Sequence, residues 1–177
     1  MEYIFTTERL SVRKFLKSDG NDLAEILTDK EVTYFEPYQT FTFGDAVEEA
    51  ATFSESSEFF AVELDGKVIG KIYFSKRDHG TYEIGYTFNI NYQRKGYAAE
   101  SMSAFIGYAF NSLCVRRIIA EVDTRNEKSY KLCERLGMRR EAEHKQVYPA
   151  KEGGYNDFYI YAMLKEEFVK YGDQPSN

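Results

Sequence analysis

Gln93-Arg94-Lys95-Gly96-Tyr97-Ala98 lies between a stretch that reads as a strand, YEIGYTFNI over 82–90, and the first turn of a long helical pattern. A helix N-terminus carries unpaired backbone N–H groups and a partial positive charge. A glycine-bearing turn at that point can therefore wrap amides around a pyrophosphate. Gly96 lets the backbone approach closely, Ala98 keeps the first turn small, and Arg94 and Lys95 add charge at the rim. No Gly-Lys-Ser/Thr follows, so this is not a Walker loop, and the three glycines of a dinucleotide fingerprint are absent. A strand, turn and helix with one glycine also serve as a plain connection, and the surrounding chain has to decide between the two.

Downstream of the turn, Ala98, Met102, Phe105, Ile106, Ala109, Phe110 and Leu113 recur at spacings of three and four, predicting a helix over about 97–111 with one face in the core. Strand RRIIAEV follows, then helix NEKSYKLCERLG closed by Gly137, then a strand pair around EHKQVY and DFYIYAML. Upstream, FFAVEL and KVIGKIYFS flank Asp65-Gly66, which supplies the positive φ angles of a tight hairpin. Residues 45–56 read as a helix introduced by Gly44 and Asp45, and Leu23, Ile26 and Leu27 as one behind an N-cap at Ser18. Leu10 and Val12 alternate within a first strand over 6–15, and the polar tail after Phe168 is expected to fray. The order β-α-α-β-β-β-α-β-α-β-β, with no repeat or linker, predicts a single mixed α/β domain over 1–177, with its core at 6–168 and a polar tail at 169–177.

Composition removes several classes of function. Hydrophobic residues make up 43% of the 177 and charged residues 29%, a globular balance rather than a disordered one. At this length roughly 70% of the unfolded surface can be buried. The formal net charge is -6, which argues against nucleic acid or anionic lipid as a partner and suits a cationic one. Two cysteines, Cys114 and Cys133, make no disulfide framework, and with only His79 and His144 beside them no metal site is expected. No run approaches the ~18 apolar residues of a membrane span, and the start lacks a secretory pattern. A cytoplasmic protein is expected.

Gln93, Gly96 and Ala98 match Gln/Arg-x-x-Gly-x-Gly/Ala, the signature with which the GNAT superfamily of N-acetyltransferases begins a helix after a strand. TERLSVR, EIGY, GYAAE, NEKSYKLCERLGM and DFYIYAMLKEEF resemble, in order and spacing, the branch that contains ribosomal-protein N-terminal acetyltransferases, so that the resemblance covers 6–168. It implies a twisted, mostly antiparallel central sheet of about seven strands flanked by about four helices. It also implies acetyl-CoA as cosubstrate, held in a V-shaped opening between the strand ending at Phe88 and that of residues 117–123. Tyr86, Thr87 and Phe88 would pair with the pantetheine amides through their backbone. Gln93 belongs to the same loop, and Arg94, Lys95, Gly96, Tyr97, Ala98 and Ala99 would hold the pyrophosphate. Asn126 matches the family asparagine that bonds the pantetheine arm, with Ser129 near it, although Asn126 also reads as an ordinary N-cap.

The implied chemistry is direct attack of an amine on the thioester, which needs a neutral amine, a polarised carbonyl and a thiolate able to leave. A backbone N–H near Phe88 is the expected oxyanion donor. Glu83 in EIGY and Glu121 in AEVDTRN match base positions of different family branches, and each also reads as an outer-face strand residue. Many members place a tyrosine acid seven residues after the asparagine, where this chain has Cys133; Ser129 and Tyr130 are the remaining proton donors. Cys133 itself, on an apolar helix face, reads as inert core. Residues 31–45, with Tyr34, Phe35, Tyr38, Phe41 and Phe43, and residues 145–157, with Tyr148, Tyr155 and Asp157, are expected to line the acceptor or simply the core. A protein N-terminal α-amine, a polyamine or an antibiotic amine all remain open as acceptor, as do a catalytically silent acyl-CoA-binding module and a monomeric or homodimeric state.

Overall fold

A computed structural model describes residues 2–172 of the chain, in two compact units, Met1–Phe74 with Gly85–Ser101 and Ser75–Ile84 with Met102–Asn177. In the first unit, β1 (Tyr3–Thr6) and β2 (Ser11–Lys14) form an antiparallel hairpin, where the sequence predicts one strand over 6–15. The break has a local cause. Thr7 N–H donates to the Leu10 carbonyl at 2.8 Å and Leu10 N–H returns to Thr7 Oγ1 at 3.0 Å, closing a turn inside the alternating stretch. β2 pairs with β3 (Phe59–Leu64), and β3 with β4 (Lys67–Lys76), both antiparallel. The turn between β3 and β4 is the expected one, with φ of 50° at Asp65 and 83° at Gly66.

The helices of this unit are α1 (Gly20–Leu27), the short α2 (Lys30–Thr33) and α3 (Phe43–Glu55). Leu23, Ile26 and Leu27 are fully buried as their spacing requires, against Phe15, Ala46, Ala50 and Phe53. α3 starts earlier than expected because Thr42, not Gly44 or Asp45, caps it, accepting from Asp45 N–H. α2 is too short to show a periodicity, and Asp29 caps it from outside. The expected N-cap Ser18 falls inside a 3₁₀ turn, Lys17–Asp19. Asp19 takes the position before α1, but its carboxylate is spent elsewhere. It accepts from both Nη atoms of Arg13 and from Leu16 N–H, while Arg13 Nε donates to Glu63 at 2.7 Å.

β5 (Thr81–Phe88) begins in the second unit, parallel to β6 (Arg117–Asp123) through Thr81↔Arg117, Tyr82↔Ile118 and Glu83↔Ile119. β6 pairs antiparallel with β8 (Tyr155–Leu164), and β8 with the edge strand β7 (Arg139–Pro149). Sheet order is β1-β2-β3-β4-β5-β6-β8-β7, so among the described residues eight strands stand where about seven were expected, because the first was two. α4 (Tyr97–Ser112) buries Met102, Phe105, Ile106, Ala109 and Phe110, while Leu113, one residue past its end, is exposed. α5 (Glu127–Arg135) ends with Gly137 at φ 82° and Met138 N–H on the Cys133 carbonyl, as the C-terminal glycine predicts. α6 (Lys165–Gly172) brings the α-helices among the described residues to six where about four were expected and turns the first residues of the expected polar tail into helix. The remainder of that tail, 173–177, lies outside the described residues. Among the described residues no helix is long and apolar enough to cross a membrane.

The Arg13 guanidinium holds two carboxylates in a site where all three groups are nearly inaccessible, at 2%, 7% and 5% exposure for Arg13, Asp19 and Glu63. Arg13→Ala strands two buried negative charges, and we expect it to cost about 3–5 kcal/mol, measured as a lower midpoint in urea unfolding.

Candidate active site

The loop from β5 to α4 is held in the first unit by its own side chains. Asn89 is buried; its N–H donates to the Ile69 carbonyl, its Nδ2 to Glu25, and its Oδ1 accepts from Asn91 N–H, turning the chain out of the strand. Gln93 folds back to donate from Nε2 to the Phe88 carbonyl at 3.1 Å, so its side chain braces the loop. Arg94 at φ 61° and Gly96 at φ 86° both take the left-handed conformation, and Arg94, Lys95 and Gly96 are exposed. The first i→i−4 bond of α4 runs from Glu100 N–H to the Gly96 carbonyl at 3.0 Å. The amides of Tyr97, Ala98 and Ala99 therefore have no acceptor inside the helix, the arrangement that suits an anion.

Glu100 locks this start in place. Its carboxylate accepts from Thr7 Oγ1, Arg9 N–H and the Arg9 guanidinium. Burial pushes the Glu100 carboxyl up, but these hydrogen bonds and the Arg9 charge outweigh it and hold the group below its ordinary value. Arg9 also donates to the Lys95 carbonyl at 3.1 Å and stacks 4.5 Å above the Tyr97 ring centroid. A Cβ at position 96 would meet Arg9 Nη2 at 3.2 Å, a second reason beside the positive φ for glycine there. Arg9 lay inside the quoted TERLSVR, but only the fold shows it reaching a loop more than eighty residues away.

Thr87 and Phe88 are buried at the end of β5. Thr87 Oγ1 donates to Glu36 at 2.9 Å, and the Phe88 ring fills the space where a Cβ at Gly70 would sit, 2.6 Å from the ring. Tyr86, Thr87 and Phe88 are thus consecutive residues leading into the loop, with the Phe88 carbonyl occupied by Gln93.

The second unit carries both carboxylates expected as bases. Glu83 faces Ile119 across the parallel ladder and Glu121 is two residues beyond Ile119, so strand alternation puts them on one face of the sheet. Arg77 donates to Glu83 through Nε and Nη2, both on Oε2, which leaves Oε1 without a hydrogen bond among the described residues. Tyr148, from β7, donates to Glu121 Oε2 at 2.9 Å. That hydrogen bond, then burial, then the charges of Glu121 and Glu83 push the Tyr148 phenol up, with Arg77 pulling the other way. Arg77 was not anticipated from the sequence, and Tyr148 only as an acceptor-side aromatic.

Asn126 is the N-cap of α5, accepting from Ser129 N–H at 3.2 Å through Oδ1, so only its NH₂ is left to donate. The turn before it is set by buried Asp123, which accepts from the Arg125 amide and guanidinium. Tyr130 packs edge-on to Tyr159, with ring centroids 5.8 Å apart, and Ser129 is half-buried in the first turn of α5. Among the described residues no group of His, Cys, Asp and Glu could hold a metal ion.

Cys133 is buried at 1% exposure, and burial pushes its thiol up to about 12. At neutral pH only a trace is thiolate, the reactive form. Cys114 is exposed. Iodoacetamide on the native protein at pH 7 is expected to label Cys114 alone, with Cys133 reacting only after denaturation, as read by intact mass and peptide mapping.

Residues 9–139 match the Acetyltransferase (GNAT) domain family. An uncharacterized N-acetyltransferase, YnaD of Bacillus subtilis, is 38% identical over 172 residues, covering 92% of this chain and 98% of that protein. A crystal structure of a GNAT-family acetyltransferase from Bacillus anthracis superimposes with a TM-score of 0.86 at 35% identity, covering 91% of this chain and 98% of the other. RimL, a ribosomal L7/L12 α-N-protein acetyltransferase solved in complex with coenzyme A, shares the fold with a TM-score of 0.80 at 17% identity, over 92% of this chain and 98% of its own. With the family match running from β2 into β7 and covering the loop, the capped helix and both carboxylate strands, the chain belongs to the GNAT family of acetyltransferases.

Proposed function

We propose that the protein transfers the acetyl group of acetyl-CoA to a primary amine, with the α-amine at a protein N-terminus, ribosomal proteins included, as its acceptor class. The loop carries this reading: left-handed Arg94 and Gly96, exposed cationic side chains, and amides at 97–99 with no acceptor inside the helix. Arg94, Lys95, Gly96, Tyr97, Ala98 and Ala99 would hold the pyrophosphate, with Gln93 keeping the loop in shape. The main chain of Tyr86, Thr87 and Phe88 would hold the pantetheine, and the free NH₂ of Asn126, beside Ser129, would donate to it. When bound, acetyl-CoA supplies the thioester carbonyl that the amine attacks. The family match runs through both compact units, which supports a single acetyltransferase domain over 1–177. RimL's acceptor, named as the N-terminus of a ribosomal protein, and the acidic charge of this chain support the acceptor class.

In the proposed mechanism Glu83 takes a proton from the acceptor ammonium through Oε1, directly or by way of a water, while Arg77 fixes the carboxylate through Oε2. Tyr148 fills the acid role that the tyrosine-to-cysteine departure at 133 leaves open. Its phenol is raised and therefore protonated at neutral pH, and Glu121 orients it. Ser129 and Tyr130 are the other hydroxyls on α5 able to donate. The backbone amide near Phe88 would meet the developing oxyanion.

Release of coenzyme A thiol, followed across N-terminal peptides, polyamines and aminoglycosides, tests the reading. Turnover confined to the small amines would overturn the protein-acceptor class, and none with any amine would overturn catalysis. Gly96→Asp puts a carboxylate and a strained φ at the proposed pyrophosphate site, and calorimetry should show a loss of acetyl-CoA affinity with an unchanged circular dichroism spectrum. Glu83→Gln should lower kcat by roughly 10²-fold or more, with acetyl-CoA affinity retained and activity partly recovered at high pH, where the free amine is abundant. A larger loss in Glu121→Gln than in Glu83→Gln would move the base to β6.

A further inference from the structure

Arg9 stands on the turn between β1 and β2, and its guanidinium is not used up by the contacts it makes there. Nε and Nη2 both reach Glu100 Oε2, at 2.7 and 2.6 Å, and Nη1 donates to the Lys95 carbonyl at 3.1 Å. Each Nη carries a second hydrogen, and neither of these meets an acceptor among the described residues. The side chain is 42% exposed, so a solute can reach those hydrogens, which it cannot do at the buried Arg13. The plane of the fork is also fixed in advance. It is held by two elements and lies 4.5 Å from the centroid of the Tyr97 ring, so little freedom is left to lose when an anion arrives.

That fork stands against the loop to which the pyrophosphate is assigned. Nη2 lies 3.2 Å from where a Cβ at position 96 would be, next to left-handed Gly96 and the exposed Arg94 and Lys95. The open amides of residues 97–99 follow in the same turn. Electrostatics call for a cation at this point. Glu100 puts an acid into the first turn of α4; burial raises its carboxyl, but its hydrogen bonds and the Arg9 charge hold it below its ordinary value, so it is ionised at neutral pH. A bare carboxylate there would repel the phosphate that the helix start attracts. Arg9 cancels that charge, and with Arg94 and Lys95 it leaves a cationic loop on a chain of formal net charge -6.

We infer that Arg9 is a phosphate ligand of the acetyl-CoA site, donating its remaining Nη hydrogens to a phosphate oxygen of the cosubstrate while Glu100, the Lys95 carbonyl and Tyr97 hold its plane. The assignment rests on the acetyltransferase reading and deepens its donor site. One cation of that site then comes from a turn 86 positions before Lys95, outside the loop that carries the family signature. The oxygen belongs either to the pyrophosphate or to the phosphate on the ribose, and the two offer the same chemistry to a guanidinium.

Titration calorimetry of the wild type, Arg9→Met and Arg9→Lys with acetyl-CoA and with acetyl-dephospho-CoA tests the contact. Arg9→Met should weaken acetyl-CoA binding about ten-fold, the weight of one charge-assisted hydrogen bond. Arg9→Lys keeps the charge but cannot hold Glu100 and the Lys95 carbonyl with one fork, and it should recover part of that loss. If the Arg9→Met penalty persists with acetyl-dephospho-CoA the contact is to the pyrophosphate, and if it vanishes the contact is to the ribose phosphate. Should Arg9→Met not keep the wild-type circular dichroism spectrum, Arg9→Gln takes its place as the uncharged variant. Unchanged acetyl-CoA affinity without the charge would overturn the contact. A loss in Arg9→Lys as large as in the uncharged variant would also overturn it and leave Arg9 as a brace of the loop alone. Wild-type protein that binds no acetyl-CoA would instead overturn the donor site and the acetyltransferase reading with it.

Discussion

A helix that is to receive an anion must begin with its first amides open, and a chain left to itself would close them with a capping side chain. At α4 the glutamate in the first turn does not reach back to those amides. Glu100 is drawn sideways onto Thr7 and Arg9, and Arg9 in turn holds the Lys95 carbonyl and covers Tyr97. The loop can then keep Arg94 and Gly96 in the left-handed region while Gln93 and Asn89 anchor its other end. The remainder of the first unit supports this clamp. β1 and β2 carry Thr7 and Arg9 on the turn between them, and the Arg13 network fastens β2 to β3 and to the start of α1.

Two buried ionic groups in that unit make an instructive contrast. Around Arg13 the guanidinium gives three of its nitrogens to Asp19 and Glu63, so the charges compensate one another and the group serves stability. Around Lys71 the pairing is looser: its ammonium lies 3.6 Å from Glu36 Oε2, while the other Glu36 oxygen accepts from Thr87.

In the second unit the two expected bases stand on neighbouring strands of one sheet. Parallel pairing of β5 with β6 puts Glu83 and Glu121 on one face, and the long edge strand β7 carries Tyr148 back to Glu121. α5 contributes differently: its buried face keeps Cys133 out of reactive chemistry, while Asn126 at its start is fixed by its own cap.

Much of this was legible in the sequence because it is local. The Asp65-Gly66 hairpin, the apolar stripe of α4, the Gly137 stop and the strand-turn-helix around Gly96 each depend on residues within a few positions of one another. Backbone sterics and periodicity act at that range. The first strand was misread for the same reason, since the alternation at Leu10 and Val12 says nothing of the hydrogen bonds that Thr7 makes to close a turn. Both candidate bases could be named from EIGY and AEVDTRN, but not their partners. Arg77 on Glu83, Tyr148 on Glu121, Arg9 on Glu100 and Thr87 on Glu36 join residues six to ninety-one positions apart. Side-chain composition fixed which groups were present; only the pairing of strands and the packing of buried charge decided which of them meet, because a hydrogen bond is set by distance and direction in space and not by separation along the chain.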